Sequence, residues 1–279
     1  YSIALDGYVS DKTKYDLKES KLNINHHENV NRLSTKSTSS QIYLLIKQGL
    51  INKFKDNDIN VYVNHPDQDT CLAVWLLFNY KRIIKKNEYL IERLVDIEDK
   101  LDVTGGTYPF DHDSDVMREI AWIFEPYTKA RSLGIIDNMN PDEMKLLINK
   151  VLTRIEQYCN NQGKRINLDT RYKIIYSSKN WVMVEEIGSY ARLDFIKDGI
   201  KAFISVKKRK DGKYNYVLSK INSFVEFPLE KIYKELNKVE KIKDNNKWGG
   251  SDTIGGNLRT KGSKINPESL INIINKVYK

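Results

Sequence analysis

The residues best equipped for chemistry are four histidines, His26, His27, His65 and His112. All lie in the first 112 of 279 residues, and each has a carboxylate within two positions. The densest group is NHPDQD at 64–69, directly after the apolar run Val61-Tyr62-Val63. Side chains two apart share a face of an extended segment, so His65, Asp67 and Asp69 can converge on one point. Imidazole with carboxylate attracts a divalent ion such as Mn²⁺, Fe²⁺ or Zn²⁺, whereas an all-oxygen set leans to Mg²⁺ or Ca²⁺. An ordinary polar loop in an Asp- and Asn-rich chain is the competing reading.

The elements that must position these groups begin with SIALDG, a short strand ending at Asp6, with Gly7 permitting a sharp exit. Strand C-termini are where parallel α/β proteins gather their ligands. Leu22 and Ile24 mark a second strand that delivers Asn25-His26-His27-Glu28 into a loop. The spacing predicts a helix over 37–49, capped near Thr38 and stopped at Gly49, then a third strand at 61–63. A buried helix over 70–81 follows, its N-terminal amides suited to a phosphate. Helical residues 89–94 lead into the acidic stretch 95–99. There Asp96, flanked by Val95 and Ile97, is the ligand candidate, and Asp99 and Asp102 read as helix-surface charges. Asp111 and His112 either complete a metal site or cap a helix over 116–125. An amphipathic helix over 141–160 bridges toward the second domain.

Apolar periodicity lapses near 160–169. Beyond it, strands are predicted at 172–177, 181–186, 201–207 and 214–218, and helices at 227–239 and 267–278. The expected fold is therefore α/β: a larger parallel-sheet domain over 1–160 and a smaller mixed α/β domain over 170–279. Between the last two helices, Gly249, Gly250, Gly255 and Gly256 allow close backbone approach, and Arg259 and Lys261 add donors. That segment binds an anion or merely reverses the chain. It is no P-loop, because no Gly-Lys-Ser/Thr follows at the required offset.

The net charge of +9 favours anionic partners, although the basic residues are spread along the chain. The run Lys207-Lys208-Arg209-Lys210 reads as a solvated hairpin tip. No apolar stretch approaches about 18 residues, which argues against a membrane span. Cys71 and Cys159 form no Cys-x-x-Cys pattern, so a reducing, cytoplasmic setting is expected.

Taken together, Asp6, the double histidine His26-His27, the triplet His65, Asp67 and Asp69, and the paired glycines of 249–256 resemble the DHH phosphoesterases. The resemblance implies two divalent ions, Mn²⁺ or Mg²⁺, in the larger domain. His65 and Asp67 would bind one ion and Asp69 the other, with Asp6 bridging, His26 as a further ligand and Asp96 standing for the last acidic motif. His27 would contact the scissile phosphate. Gly249, Gly250, Gly255, Gly256 and Arg259 would hold the far side of the substrate. The implied reaction is hydrolysis of a phosphodiester or phosphoanhydride bond in a nucleotide or short oligonucleotide, with no long duplex as substrate and a homodimer left open. Asn25 stands where the name-giving Asp belongs, and the HxDxD triplet follows the double histidine instead of preceding it. Ser251-Asp252 occupy the place of an expected histidine. Two other classes therefore stay in play: a nucleotide-binding or sensing protein without catalysis, and a basic RNA-binding protein.

Overall fold

Ile3, Ala4 and Leu5 are all buried, and they form the central strand of the first sheet, β1 (Ser2–Leu5). In the computed structural model, which describes residues 1–16, 18–27, 30–50, 52, 58–242 and 247–278, two strands flank β1 in parallel. These are β3 (Lys21–Ile24) and β4 (Asn60–Tyr62), with Leu5 opposite Ile24 and Ala4 opposite Tyr62. A further edge strand, β2 (Lys14–Asp16), runs antiparallel to β3. The sheet order is β2-β3-β1-β4. The fold is thus mixed α/β as expected, but the first sheet is a parallel trio with an antiparallel edge. All three residues of β2 are exposed, so no apolar alternation marks it in the sequence.

The helices of this unit are α1 (Thr38–Lys47), α2 (Gln68–Phe78), α3 (Tyr80–Lys85), α4 (Tyr89–Val103), α5 (Asp115–Ser132) and α6 (Pro141–Cys159). Ser37 caps α1 by accepting from the Ser40 amide. The helix expected over 70–81 breaks at Asn79, whose side chain donates to the Trp75 carbonyl and competes with the helical ladder. α4 absorbs the acidic stretch. α5 runs past residue 125 and through Pro126. A proline there cannot donate to the Trp122 carbonyl four residues back; Arg154 of α6 donates to it instead, at 2.5 Å.

Two compact units result: Tyr1–Val103 with Phe110–Leu168, and Thr104–Pro109 with Asp169–Lys279. The second has the sheet order β5-β6-β7-β8-β10-β9, from β5 (Tyr172–Ser177), β6 (Val182–Glu186), β7 (Ala202–Lys208), β8 (Tyr214–Lys220), β9 (Gly249–Gly250) and β10 (Ile254–Gly256). Among the described residues, only its β6–β7 pairing is parallel. Helices α7 (Leu229–Val239) and α8 (Pro267–Val277) belong to this unit, and Tyr216, Phe227, Ile232, Trp248 and Leu270 are in its main core. Among the described residues, no helix is long and apolar enough to cross a membrane.

Candidate metal centre

The first unit's chemistry gathers where β1 and β3 end. Asp6 follows β1 with φ 49°, a left-handed conformation that a non-glycine residue adopts only under constraint, and Gly7 continues the turn at φ 81°. Its carboxylate accepts from the Thr38 and Thr70 hydroxyls, each at 3.2 Å, and pairs with His27 Nε2 at 2.7 Å. His26 is fully buried, and its Nε2 lies 2.8 Å from Asp102, 3.3 Å from Asp6 and 3.8 Å from Asp69. Asp69, in the first turn of α2, accepts the Thr38 and Ser39 amides at 2.7 and 2.8 Å, so it also holds the N-terminus of α1. Two donor groups emerge: Asp6 with His26 and His27, and His26 with Asp69 and Asp102. Solvent reaches the cluster through His27 and Asp102, whose side chains are 34 % and 24 % exposed.

The fit of a divalent ion can be judged from His26. Its Nε2 is paired with carboxylate oxygens, Asp102 nearest at 2.8 Å, while its Nδ1 is buried without a hydrogen-bond partner. A buried polar atom left in this way is expensive. Nitrogen and carboxylate oxygens converging on one point are the donor set of a Mn²⁺-, Fe²⁺- or Zn²⁺-type site. The electrostatics agree. Burial pushes His26 down, but Asp102 and Asp6 more than reverse that and carry it up to about 10. Burial together with the charges of Asp102 and Asp6 pushes Asp69 up to about 7. Burial raises Asp6 as well, yet its two histidine neighbours outweigh it and hold the group well below the usual carboxylate range. The carboxylates draw positive charge inward, from the His26 proton and from Arg32 beside Asp102, and a cation replacing that proton would meet the same field.

Four residues foreseen from the sequence, Asp6, His26, His27 and Asp69, come together here. Asp96 does not: its side chain is 62 % exposed and pairs with Lys100 one turn on. The carboxylate that α4 contributes to a donor group is Asp102, which reads as a surface charge in the sequence. Glu98, one turn before it, is also buried, with Oε2 lacking a partner, and burial with the charges of Asp69 and Asp102 raises it well above the ordinary range. The signal for both was present. The stripe Ile91, Leu94, Val95 continues at helical spacing to Glu98, Leu101 and Asp102, and Asp96 falls on the other face.

His65 and Asp67 form a separate pair, Nδ1 to Oδ2 at 3.3 Å, and belong to neither donor group. Asp67 caps α2 by accepting from the Thr70 amide, so the helix start expected to face a phosphate is already capped by the chain itself. His112 lies 3.6 Å from Asp113, and Ser114, not Asp111, caps α5. Asn25 is fully buried; its side chain accepts from the His26 and His27 amides and donates to the Asp11 carbonyl. It shapes the loop that carries the two histidines. Glu28 lies outside the described residues.

In the second unit, the paired glycines form a β-hairpin rather than an open loop. Gly255 and Gly256 sit between β8 and β9, and a side chain on Gly255 would collide with the Gly249 carbonyl and the Tyr233 hydroxyl. Arg259 and Lys261 are exposed, and their carbonyls accept from Arg209 and Lys213. Compared with known proteins, the chain matches no protein-family model and has no significant match among curated proteins.

Proposed function

We propose that the first unit is a metal-dependent phosphoesterase, hydrolysing a phosphodiester or phosphoanhydride bond in a nucleotide or short oligonucleotide, with Mn²⁺ favoured over Mg²⁺. The observation that carries the reading is His26, fully buried with its Nε2 2.8 to 3.8 Å from Asp6, Asp69 and Asp102. A divalent ion held there would supply the Lewis acidity that polarises a phosphoryl oxygen and acidifies water. The residues around it have separate tasks. Asp6, His26, Asp69 and Asp102 would hold the ion. The Thr38 and Thr70 hydroxyls orient Asp6, and the α1 amides fix Asp69. His27 stands at the solvent side beside Asp6, where a substrate phosphate can reach it. The overall charge of +9 favours approach of an anionic substrate.

Asn25 is no argument for a purely sensing role. Its amide is occupied with backbone groups, including a donation to the Asp11 carbonyl that a carboxylate could not make, so the donor groups lose nothing by its presence. The test is turnover of pyrophosphate, a dinucleotide and a short oligonucleotide at saturating Mn²⁺, beside elemental analysis of protein purified without chelator. Bound metal with turnover that disappears in His26→Gln is expected. Tight nucleotide binding with no turnover would replace the hydrolase by a sensor. A stoichiometry of two ions would bring His65 and Asp67 into the site.

A further inference from the structure

We propose that Arg32 is a positioning residue that fixes the proton of His27 on Nε2 and so gives the two adjacent histidines different tasks. No sequence motif points to Arg32. It opens a single 3-10 turn, Arg32–Ser34, capped by the Asn31 side chain, and is only 6 % exposed. Its Nη1 lies 2.7 Å from His27 Nδ1, and its Nη2 donates to the Asp102 carbonyl at 2.9 Å and to the Asp102 carboxylate at 3.2 and 3.3 Å. The guanidinium therefore ties the residue that follows β3 to the end of α4.

A guanidinium has N–H donors and no acceptor, so His27 Nδ1 can meet it only as an unprotonated lone pair. The opposite end of the ring gives the same answer independently. Nε2 lies 2.7 Å from Asp6 Oδ1, and an ionised carboxylate can only accept. Turning the ring over would place carbons at both contacts and forfeit both bonds. The ring is further held against His26, with centroids 4.2 Å apart. His27 is thus the Nε2–H tautomer, and that nitrogen presents a hydrogen rather than a lone pair. His26 has no such donor at either nitrogen. Of the neighbouring histidines, His27 is a hydrogen-bond donor at the open side of the cluster, and His26, with no donor aimed at it, faces three carboxylates where an ion would take the place of its Nε2 proton. The inference takes its ion from the proposed function, but the tautomer itself requires neither metal nor turnover.

The competing role for Arg32 is to neutralise Asp102, which would leave the His27 proton unaffected. Nitrogen NMR of the full chain labelled with ¹⁵N-histidine separates the two, since only four histidines contribute and His27 is assigned by its loss in His27→Gln. In metal-free protein and again with Mg²⁺, His27 is expected to show an unprotonated Nδ1 and a protonated Nε2. In Arg32→Met that single pattern should be lost to a mixture of tautomers. A protonated Nδ1 in the wild type, or an unchanged pattern in folded Arg32→Met, would overturn the proposal. Should Arg32→Met not fold, the wild-type spectrum decides by itself: Nε2–H supports the assignment, Nδ1–H ends it. The expected tautomer in a protein without Mn²⁺-dependent turnover would retain Arg32 in this role and remove the hydrolase. Turnover with the wrong tautomer would do the reverse.

Discussion

Asp6 holds a left-handed backbone conformation that costs a non-glycine residue roughly 1–2 kcal/mol. The side chain accounts for its retention, because it reaches His26, His27, Thr38 and Thr70 together. Asp6→Asn preserves the shape and removes the charge. It should weaken Mn²⁺ binding by at least about tenfold, equivalent to about 1.4 kcal/mol, and also lower stability near neutrality, because His26 and His27 hold this carboxylate well below its usual range. Asp102→Asn should do the same, whereas Asp96→Ala should leave affinity within about twofold. Calorimetric titration of the three variants checks the assignment, and a loss in Asp96→Ala comparable with that in Asp6→Asn would refute it. The strand-exit argument found Asp6, His26, His27 and Asp69 because a short apolar strand announces its own end. It missed Asp102 because the helix was followed only to residue 94, before its buried face reached the carboxylates.

At the scale of elements, helix packing explains what local propensity could not. Pro126 ends a helix by any local rule, yet α5 continues because Tyr127, Thr128 and Ala130 are buried and Arg154 takes over the stranded Trp122 carbonyl. That guanidinium also pairs with Glu125 at 2.8 Å and lies 5.1 Å from the Trp122 ring centroid. Arg154→Met should cost about 1–3 kcal/mol, and Pro126→Ala should recover part of it by restoring an amide donor. Equal losses from Arg154→Met with and without Pro126, in a urea double-mutant cycle, would contradict the account. A second clamp joins α3, α4 and α6. Arg82 grips Glu88 through two bonds of 2.7 and 2.6 Å and reaches Glu156 at 3.0 Å. Hydrogen bonds from Arg82 hold Glu88 below its ordinary value of 4.5. Its contribution is therefore complete above that value and is lost as pH falls through the depressed one. Glu88→Gln should be less stable than wild type by about 1 kcal/mol near neutrality, and the gap should close in acid. A gap independent of pH would mean the pair acts through packing. The edge strands β2 and β9, and β10 beside β9, escaped sequence reading for one shared reason. Exposed or glycine-rich strands are specified by the neighbour they pair with, not by their own pattern.

Over the whole molecule, a basic chain carries a local acidic cluster. The surplus of 46 basic over 37 acidic residues acts at long range on anions, while Asp6, Asp69 and Asp102 would act locally on a cation. All the proposed ion ligands belong to the first unit, and this makes the location of any stabilisation predictable. A ligand that binds only the folded state stabilises by about 2.7 kcal/mol at a hundredfold excess over its Kd. The ion would bring together the ends of β1 and β3 and the beginning of α2 with the last turn of α4, and local opening of those segments should become rarer. Hydrogen exchange read by mass spectrometry, with Mg²⁺ or Mn²⁺ against chelator, should therefore show slower exchange over 2–8, 20–27, 66–72 and 95–103. The second-unit strands over 172–220 should exchange at unchanged rates. Asp6→Asn provides the control, since at the same ion concentration its first-unit peptides should exchange as they do in chelator. Equal slowing in both units, or slowing that persists in Asp6→Asn, would show that the ion binds somewhere other than the Asp6–His26–Asp102 cluster.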